Sequence, residues 1–205
     1  MQSNLPGLPD GVRYTTAQVW TLNGQAPVAP PPPDPAELAQ SVASQLTVPA
    51  PVLHVGTPGE RVAVKVPVSL WVDQQPALTA SVSAGGLTVT ARAVLTSTDW
   101  SMGEPVGDPA GNASGTVASF TCAGAGSAPP QSVRTTAPAC GYTYIWRSDA
   151  TRTDGAGTWP VTAVAHWTMS WQATNGAQGT IALQATAATQ VTVGEWRVAL
   201  VDGSH

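Results

Sequence analysis

The chain has 205 residues, a length that suits one substantial hydrophobic core with an extension. Charged residues make up 10% of the chain, against about 25% in ordinary globular domains, and the net charge is −4. Because no window holds three basic residues together and no run of 18 apolar residues occurs, we expect neither a nucleic-acid partner nor a transmembrane segment.

Proline dominates the N-terminal part of the chain. Residues 30–33 are four consecutive prolines, which favour an extended polyproline conformation and cannot donate ladder hydrogen bonds. We therefore expect residues 1–33 to form a Pro-rich arm, in which residues 14–22, rich in β-branched and aromatic side chains, predict one strand. The first residues lack signal-peptide features, which fits a methionine added to a mature secreted chain, and residues 203–205 resemble a vector remnant.

The next segment, residues 34–48, has the pattern of a short amphipathic helix. Asp34 can cap the first free amides, Pro35 suits the first turn, and Glu37 completes a spacing similar to a capping box. Leu38, Val42 and Leu46 then recur on one face. We expect this helix to pack on the domain that follows.

Alternation with a period of two dominates residues 49–202. Valines at every second position from Val62 to Val68 predict one strand, in which Pro67 indicates a sheet edge or a bulge. Further strands are predicted at residues 87–93, 161–171, 181–183 and 190–201, with a hairpin turn at residues 174–177. Many short strands separated by Gly, Pro and Asn indicate an all-β fold, an antiparallel β-sandwich.

Three short segments in this region resemble a known family. Trp100, Met102, Gly103 and Glu104 follow a strand, and the Tyr142-Thr143-Tyr144 triplet and a Gly157-Thr158-Trp159 segment come later, a pattern similar to that of PKD (polycystic kidney disease) domains. Over residues 34–200 the chain resembles a group of secreted actinobacterial proteins with such a domain. The resemblance implies an immunoglobulin-like sandwich and an extracellular or cell-envelope location. Glu104 and Pro105 replace the Asp-Gly of the family turn, so we expect residues 104–115 to take a path of their own.

The resemblance also implies a disulfide between Cys122 and Cys140. The segment between them is polar and rich in Gly, Ser and Thr, so it cannot be held in place by burial, and a bridge is a plausible anchor. Two separate buried thiols are the alternative. A metal site is disfavoured, because no other Cys or His stands at a ligand spacing.

Sequence patterns of catalysis and of cofactor binding are missing. No glycine-rich loop with a following lysine occurs, so we expect no nucleotide, and we expect no cofactor or metal. His54 and His166 are the candidate bases of a hydrolase, but a structural role for each is the simpler interpretation. Loop carboxylates such as Asp99 and Glu104 are ordinarily solvated.

The tryptophans give the better indication of function. Trp100, Trp167 and Trp171 fit core positions, whereas Trp146 and Trp159 flank the loop that begins at Arg147. An exposed Trp beside an Arg suits stacking on a sugar ring or a protein contact, although both rings could simply cover loops. We expect a non-catalytic extracellular or cell-surface interaction module, with a protein or glycan partner contacted by Trp146, Trp159 and Arg147. The alternatives are a carbohydrate-binding module for cell-wall glycans and, third, a secreted hydrolase.

Overall fold

The computed structural model describes residues 32–56, 62–107, 113–128 and 138–195, and those from residue 33 onward belong to one compact unit. In these ranges most of the chain is β-strand in antiparallel sheets, with one short helix, as the sequence predicts. The arm up to residue 31, the strand predicted within it and residues 203–205 lie outside the described residues.

The helix, α1, spans Pro35–Gln45. The Asp34 carboxylate accepts a hydrogen bond of 2.8 Å from the Ala36 N–H and so satisfies one of the free amides of the first turn. Ala39, Val42 and Ala43 are the buried residues of the helix.

In the described ranges ten strands follow the helix, and β5 is the longest of these, with 21 residues. In chain order they are β1 (Leu53–Val55), β2 (Val62–Ala63), β3 (Pro67–Val72), β4 (Leu78–Ala84), β5 (Leu87–Gly107), β6 (Ala113–Ala123), β7 (Gly141–Thr143), β8 (Trp159–Ala173), β9 (Gln178–Val191) and β10 (Val193–Gly194).

Five of these strands form a large antiparallel sheet. Its order is β4-β5-β8-β9, and β6 pairs with the second half of β5, beyond the end of β4. Buried and less buried residues alternate along β8, as the period-two pattern predicts. The predicted hairpin turn follows it, where the Ala173 N–H donates to the Ala177 carbonyl at 2.7 Å.

A small antiparallel sheet of order β1-β3-β7 packs on the large one, and β2 pairs with β10 in parallel. The second half of the large sheet and the small sheet share one core, which includes Trp100, Met102, Leu70 and Val161. The first half of the large sheet packs on α1 through Val89, Trp167 and Met169. The arrangement is sandwich-like over one half of the large sheet and is covered by a helix over the other.

Three sequence predictions about strands are wrong. Val62–Val68 is not one strand, because Lys65 has a φ of 62°, a left-handed conformation that separates β2 from β3. Residues 181–183 and 190–191 are not two strands but parts of the continuous strand β9, and residues 196–201 lie outside the described residues.

The third correction concerns the predicted turn at Trp100–Glu104. These residues lie inside β5, which runs on to Gly107, and the register with β6 shifts between Ser101 and Pro105. Gly103, with a φ of 75°, absorbs the irregularity, so the segment forms a β-bulge rather than a turn.

Candidate functional site

The two sheets are joined covalently near the site. Cys122 at the end of β6 and Cys140 before β7 form the predicted disulfide, with the Cα atoms 5.5 Å apart. Hydrogen bonds of β3 hold both ends of the loop, since the Leu70 N–H donates to the Cys140 carbonyl at 3.0 Å and the Val72 N–H to the Ala125 carbonyl at 2.8 Å. The small sheet is therefore fixed to the large sheet beside Tyr142.

Next to this junction, the turn between β2 and β3 and the segment after β7 enclose a groove of about 500 Å³, which we call the Trp146 groove. It is lined by Val64, Lys65, Val66, Ile145, Trp146, Arg147, Arg152 and Glu195. Its two sides are tied together by the Lys65 N–H, which donates to the Tyr144 carbonyl at 2.9 Å.

The backbone of Trp146 is held on both sides. Its N–H donates to Glu104 Oε2 at 3.0 Å, and its carbonyl accepts a hydrogen bond of 3.3 Å from Trp159 Nε1. The ring is partly buried against the shared core, and the Arg152 guanidinium lies over it, 4.5 Å from the ring centre. This is cation–π geometry, and it covers one part of the ring.

Glu104 is the buried charge that organises this segment. Its residue is 1% exposed, and its carboxylate accepts hydrogen bonds from the Tyr142 hydroxyl and from the N–H groups of Ile145 and Trp146. Such charge-assisted bonds offset the loss of hydration. Burial raises the pKa of the Tyr142 phenol, and the bond to Glu104 raises it further.

Two arginines and two carboxylates form a loose network along the groove. Arg152 Nη1 donates to Asp149 Oδ2 at 3.2 Å, which is within hydrogen-bond range. The Arg147 guanidinium lies 3.9 Å from Asp149 and 3.6 Å from Glu195, distances that indicate ionic contacts without hydrogen bonds. Among the described residues, the Lys65 ammonium has no ion-pair partner.

The structure separates the two tryptophans that the sequence groups together. Trp146 and Arg147 line the groove, but Trp159 is 3% exposed and belongs to the core. The prediction that Trp159 contacts a ligand is therefore wrong: as the first residue of β8 it points inward and holds the Trp146 carbonyl instead. Trp100, Met102 and Glu104 are also buried, at 1%, 0% and 1% exposure, so none of the three offers a ligand a surface contact.

Sequence reasoning named only Trp146 and Arg147 among the eight lining residues, and it missed the two other cations, Lys65 and Arg152. Arg152 stands five positions after Arg147, and only the turn that follows Asp149 brings it back over the Trp146 ring. Lys65 comes from a distant part of the chain, so no local spacing signals its position.

The two histidines lie away from the groove, and each is paired with an aspartate. His54 Nε2 is 2.7 Å from Asp73 Oδ1, and its ring stacks on Trp71. His166 Nε2 is 2.8 Å from Asp99 Oδ2.

A hydroxyl joins the second of these pairs through the carboxylate. Thr121 Oγ1 donates to Asp99 Oδ1 at 2.6 Å, and this bond holds the pKa of Asp99 below its usual value, with His166 adding to the effect. The hydroxyl thus contacts the acid and not the imidazole.

Comparison with known proteins gives no relative: no family model, no curated protein and no solved structure matches the chain. The described residues contain no helix long and apolar enough to cross a membrane and no group of three or more potential metal ligands.

Proposed function

We propose that the chain is a non-catalytic interaction module and that the Trp146 groove is its contact surface. The observation that carries this proposal is the convergence in one groove of a partly exposed tryptophan and three of the eight cationic side chains of the protein. Two of the large apolar side chains that are exposed, Val66 at 39% and Ile145 at 49%, also line it. Exposed apolar groups beside charged ones are typical of binding surfaces.

The proposal includes an extracellular or cell-envelope location. Both cysteines of the chain are used in one disulfide, which supports an oxidising compartment. It also includes a PKD-like, immunoglobulin-like sandwich of the secreted actinobacterial type, supported by the two packed sheets that share one core.

The arrangement of the histidines supports the non-catalytic part of the proposal. A hydrolase needs a base within reach of a hydroxyl, with an acid behind the base. In the described residues the rings of His54 and His166 hydrogen-bond to aspartates, and the Thr121 hydroxyl donates to Asp99. In this order the acid lies between the hydroxyl and the imidazole, so the imidazole cannot take the hydroxyl proton directly.

Binding of a cell-wall glycan is the second candidate, favoured by the Trp146 ring. An indole that is partly exposed in an open groove offers an apolar face to the C–H groups of a sugar. The Arg152 guanidinium, which covers one part of the ring, supplies hydrogen-bond donors beside the part that it leaves open.

A sedimentation assay tests the proposal. The protein is mixed with insoluble cell-wall glycan and, separately, with an immobilised surface-protein fraction, and the bound amounts are measured. We expect Trp146→Ala to weaken binding to one of the two by about thirtyfold, the effect of losing a contact worth about 2 kcal/mol.

Trp71→Ala is the matched control, because Trp71 is also a partly exposed tryptophan but lies outside the groove. It should bind as the unmodified protein does. Equal binding by the Trp146→Ala and unmodified proteins, or binding to neither material, contradicts the proposal.

A further inference from the structure

Three of the eight cationic side chains of a chain whose net charge is −4 line the Trp146 groove: Lys65, Arg147 and Arg152. The carboxylates paired with the arginines, Asp149 and Glu195, are two negative charges. These five side chains sum to +1, and the Glu104 carboxylate lies behind them, 1% exposed and bonded to the backbone of Ile145 and Trp146. A ligand in the groove therefore meets the three cations first. We propose that the groove binds an anionic polysaccharide, a glycan with carboxylate or sulfate groups. This inference rests on the proposed function, since it names the ligand of the same groove.

The cations keep hydrogen-bond donors for a ligand. Arg147 is 48% exposed in its side chain, and its contacts of 3.6 and 3.9 Å to carboxylates leave its N–H groups without short hydrogen bonds to them. The Lys65 side chain is exposed and has no ion-pair partner in the described ranges. A guanidinium fork and an ammonium are the groups that proteins use for carboxylate and sulfate oxygens.

The groove is also preorganised, which lowers the entropy lost on binding. Lys65 lies in a left-handed conformation that is fixed by its hydrogen bond to Tyr144. Arg152 is held between Asp149 and the Trp146 ring. The Trp146 backbone is fixed from inside by Glu104 and Trp159.

The backbone of the groove favours a glycan over an extended peptide. A peptide that adds as a strand needs free N–H groups on the receiving segment. The N–H groups of Val64, Lys65 and Val66 already donate to Gly194, Tyr144 and Ala63. Those of Ile145 and Trp146 donate to the buried carboxylate of Glu104. With these five N–H groups in use, the groove presents to a ligand chiefly its side chains: an indole, two exposed apolar groups and three cations.

Derivatives of one polymer test the inference. Binding of the full chain is measured by biolayer interferometry on immobilised dextran, carboxymethyl-dextran and dextran sulfate, with poly-glutamate as the acidic peptide. We expect binding to one or both charged dextrans, weak or absent binding to dextran, and a marked loss between about 50 and 500 mM NaCl because salt screens exposed charges. The two charged derivatives distinguish a carboxylate ligand from a sulfate ligand.

Charge-matched variants locate the site. Arg147→Gln and Lys65→Gln should each lower the affinity about fivefold, equivalent to about 1 kcal/mol for an exposed ion pair. Arg92→Gln removes the same charge from the exposed face of β5, outside the groove, and should leave the affinity within about twofold.

The outcomes separate this inference from the proposed function. Equal affinity for dextran and its charged derivatives, with loss of both on Trp146→Ala, overturns the anionic ligand and leaves the interaction module standing. Tight binding of poly-glutamate alone also overturns the glycan. If Arg92→Gln lowers the affinity as much as Arg147→Gln does, the protein attracts the polymer by its overall charge and not through the groove, which also overturns the inference. If no polymer binds and Trp146→Ala changes nothing in the sedimentation assay, both proposals fail.

Discussion

The buried carboxylate of Glu104 is predicted to be a main stabilising contact of the region around the groove. Its residue is 1% exposed and accepts from three donors, the Tyr142 hydroxyl and the N–H groups of Ile145 and Trp146. Glu104→Ala removes the acceptor for all three and leaves a space beside Tyr142. The substitution therefore tests whether this one side chain holds the segment that carries Trp146.

The expected cost follows from the number of donors left without a partner. Each buried donor that loses its acceptor costs about 1–3 kcal/mol, and bonds to a charged group lie in the upper part of this range. Because residues 145–146 lie near the surface, water can replace part of the loss, and we expect Glu104→Ala to lower the free energy of unfolding by about 4 kcal/mol. Glu104→Gln keeps the shape and one acceptor oxygen, so it should cost about half as much.

Urea unfolding followed by far-UV circular dichroism measures this loss, and near-UV circular dichroism of the native protein reports the setting of the tryptophans. Glu37→Ala is the matched control, since Glu37 is an exposed glutamate in the first turn of α1 and its loss should cost at most about 1 kcal/mol. If Glu104→Ala unfolds with a free energy within about 1 kcal/mol of the unmodified protein, the carboxylate does not hold the segment and the reasoning is refuted.

Three further predictions concern the same half of the molecule. Gly103→Ala should destabilise the protein by about 3 kcal/mol or more in urea unfolding, because φ is 75° and the new Cβ would lie 2.5 Å from the Pro160 carbonyl oxygen; wild-type stability would contradict the bulge. Reduction of the disulfide, or the double substitution Cys122→Ala and Cys140→Ala, should lower the free energy of unfolding by about 3 kcal/mol, because the bridge spans 18 residues. The loss should appear as a lower melting temperature. An unchanged melting temperature would show that other contacts hold the loop. Burial raises the pKa of Tyr142 and Tyr144, and the charge of Glu104 raises it further. The two tyrosines should therefore not affect stability below pH about 10, where they are protonated in both the folded and the unfolded state. Above this pH they ionise first in the unfolded state, so the free energy of unfolding should fall. Tyr142→Phe should reduce the slope of that fall in unfolding experiments from pH 9 to 12, and an unchanged slope would refute the assignment.

The alternation of apolar and polar residues predicted a strand correctly where one face of that strand is buried along its whole length. In β8 the residues Val161, Ala163, Trp167 and Met169 are all buried, because the large sheet is covered on that face along its whole length. The same rule failed at residues 62–68. There, one residue with a left-handed backbone, Lys65, separates two strands that belong to different sheets. The alternation of apolar residues shows which side chains share a face of a strand, but it does not indicate the backbone φ angle of any residue. It could therefore not reveal the left-handed residue that ends β2.

The site was predicted only in part, and the error at Trp159 has a physical cause. Trp159 has the same parity as Val161 and Ala163, so continuing the alternation of β8 back by one step places its ring in the core. Pro160 led to the wrong strand boundary, because a proline usually indicates that a strand begins or ends there. In the structure Pro160 is the second residue of β8, and its side chain is exposed. Trp146 has no such neighbours, and local sequence does not encode the placement of the Arg152 guanidinium over its ring.

The same alternation places Glu104 on the inward face of β5 once the strand is known to continue to Gly107. Trp100, Met102 and Glu104 stand at every second position and are all buried. An inward glutamate on a strand requires donors, and a tyrosine hydroxyl together with two successive N–H groups after a strand is one way to supply them. Because the strand bulges at Gly103, Met102 and Glu104 still face inward like Trp100, although the register with β6 shifts after Ser101. Glu104 therefore ties the large sheet to the segment bearing Trp146.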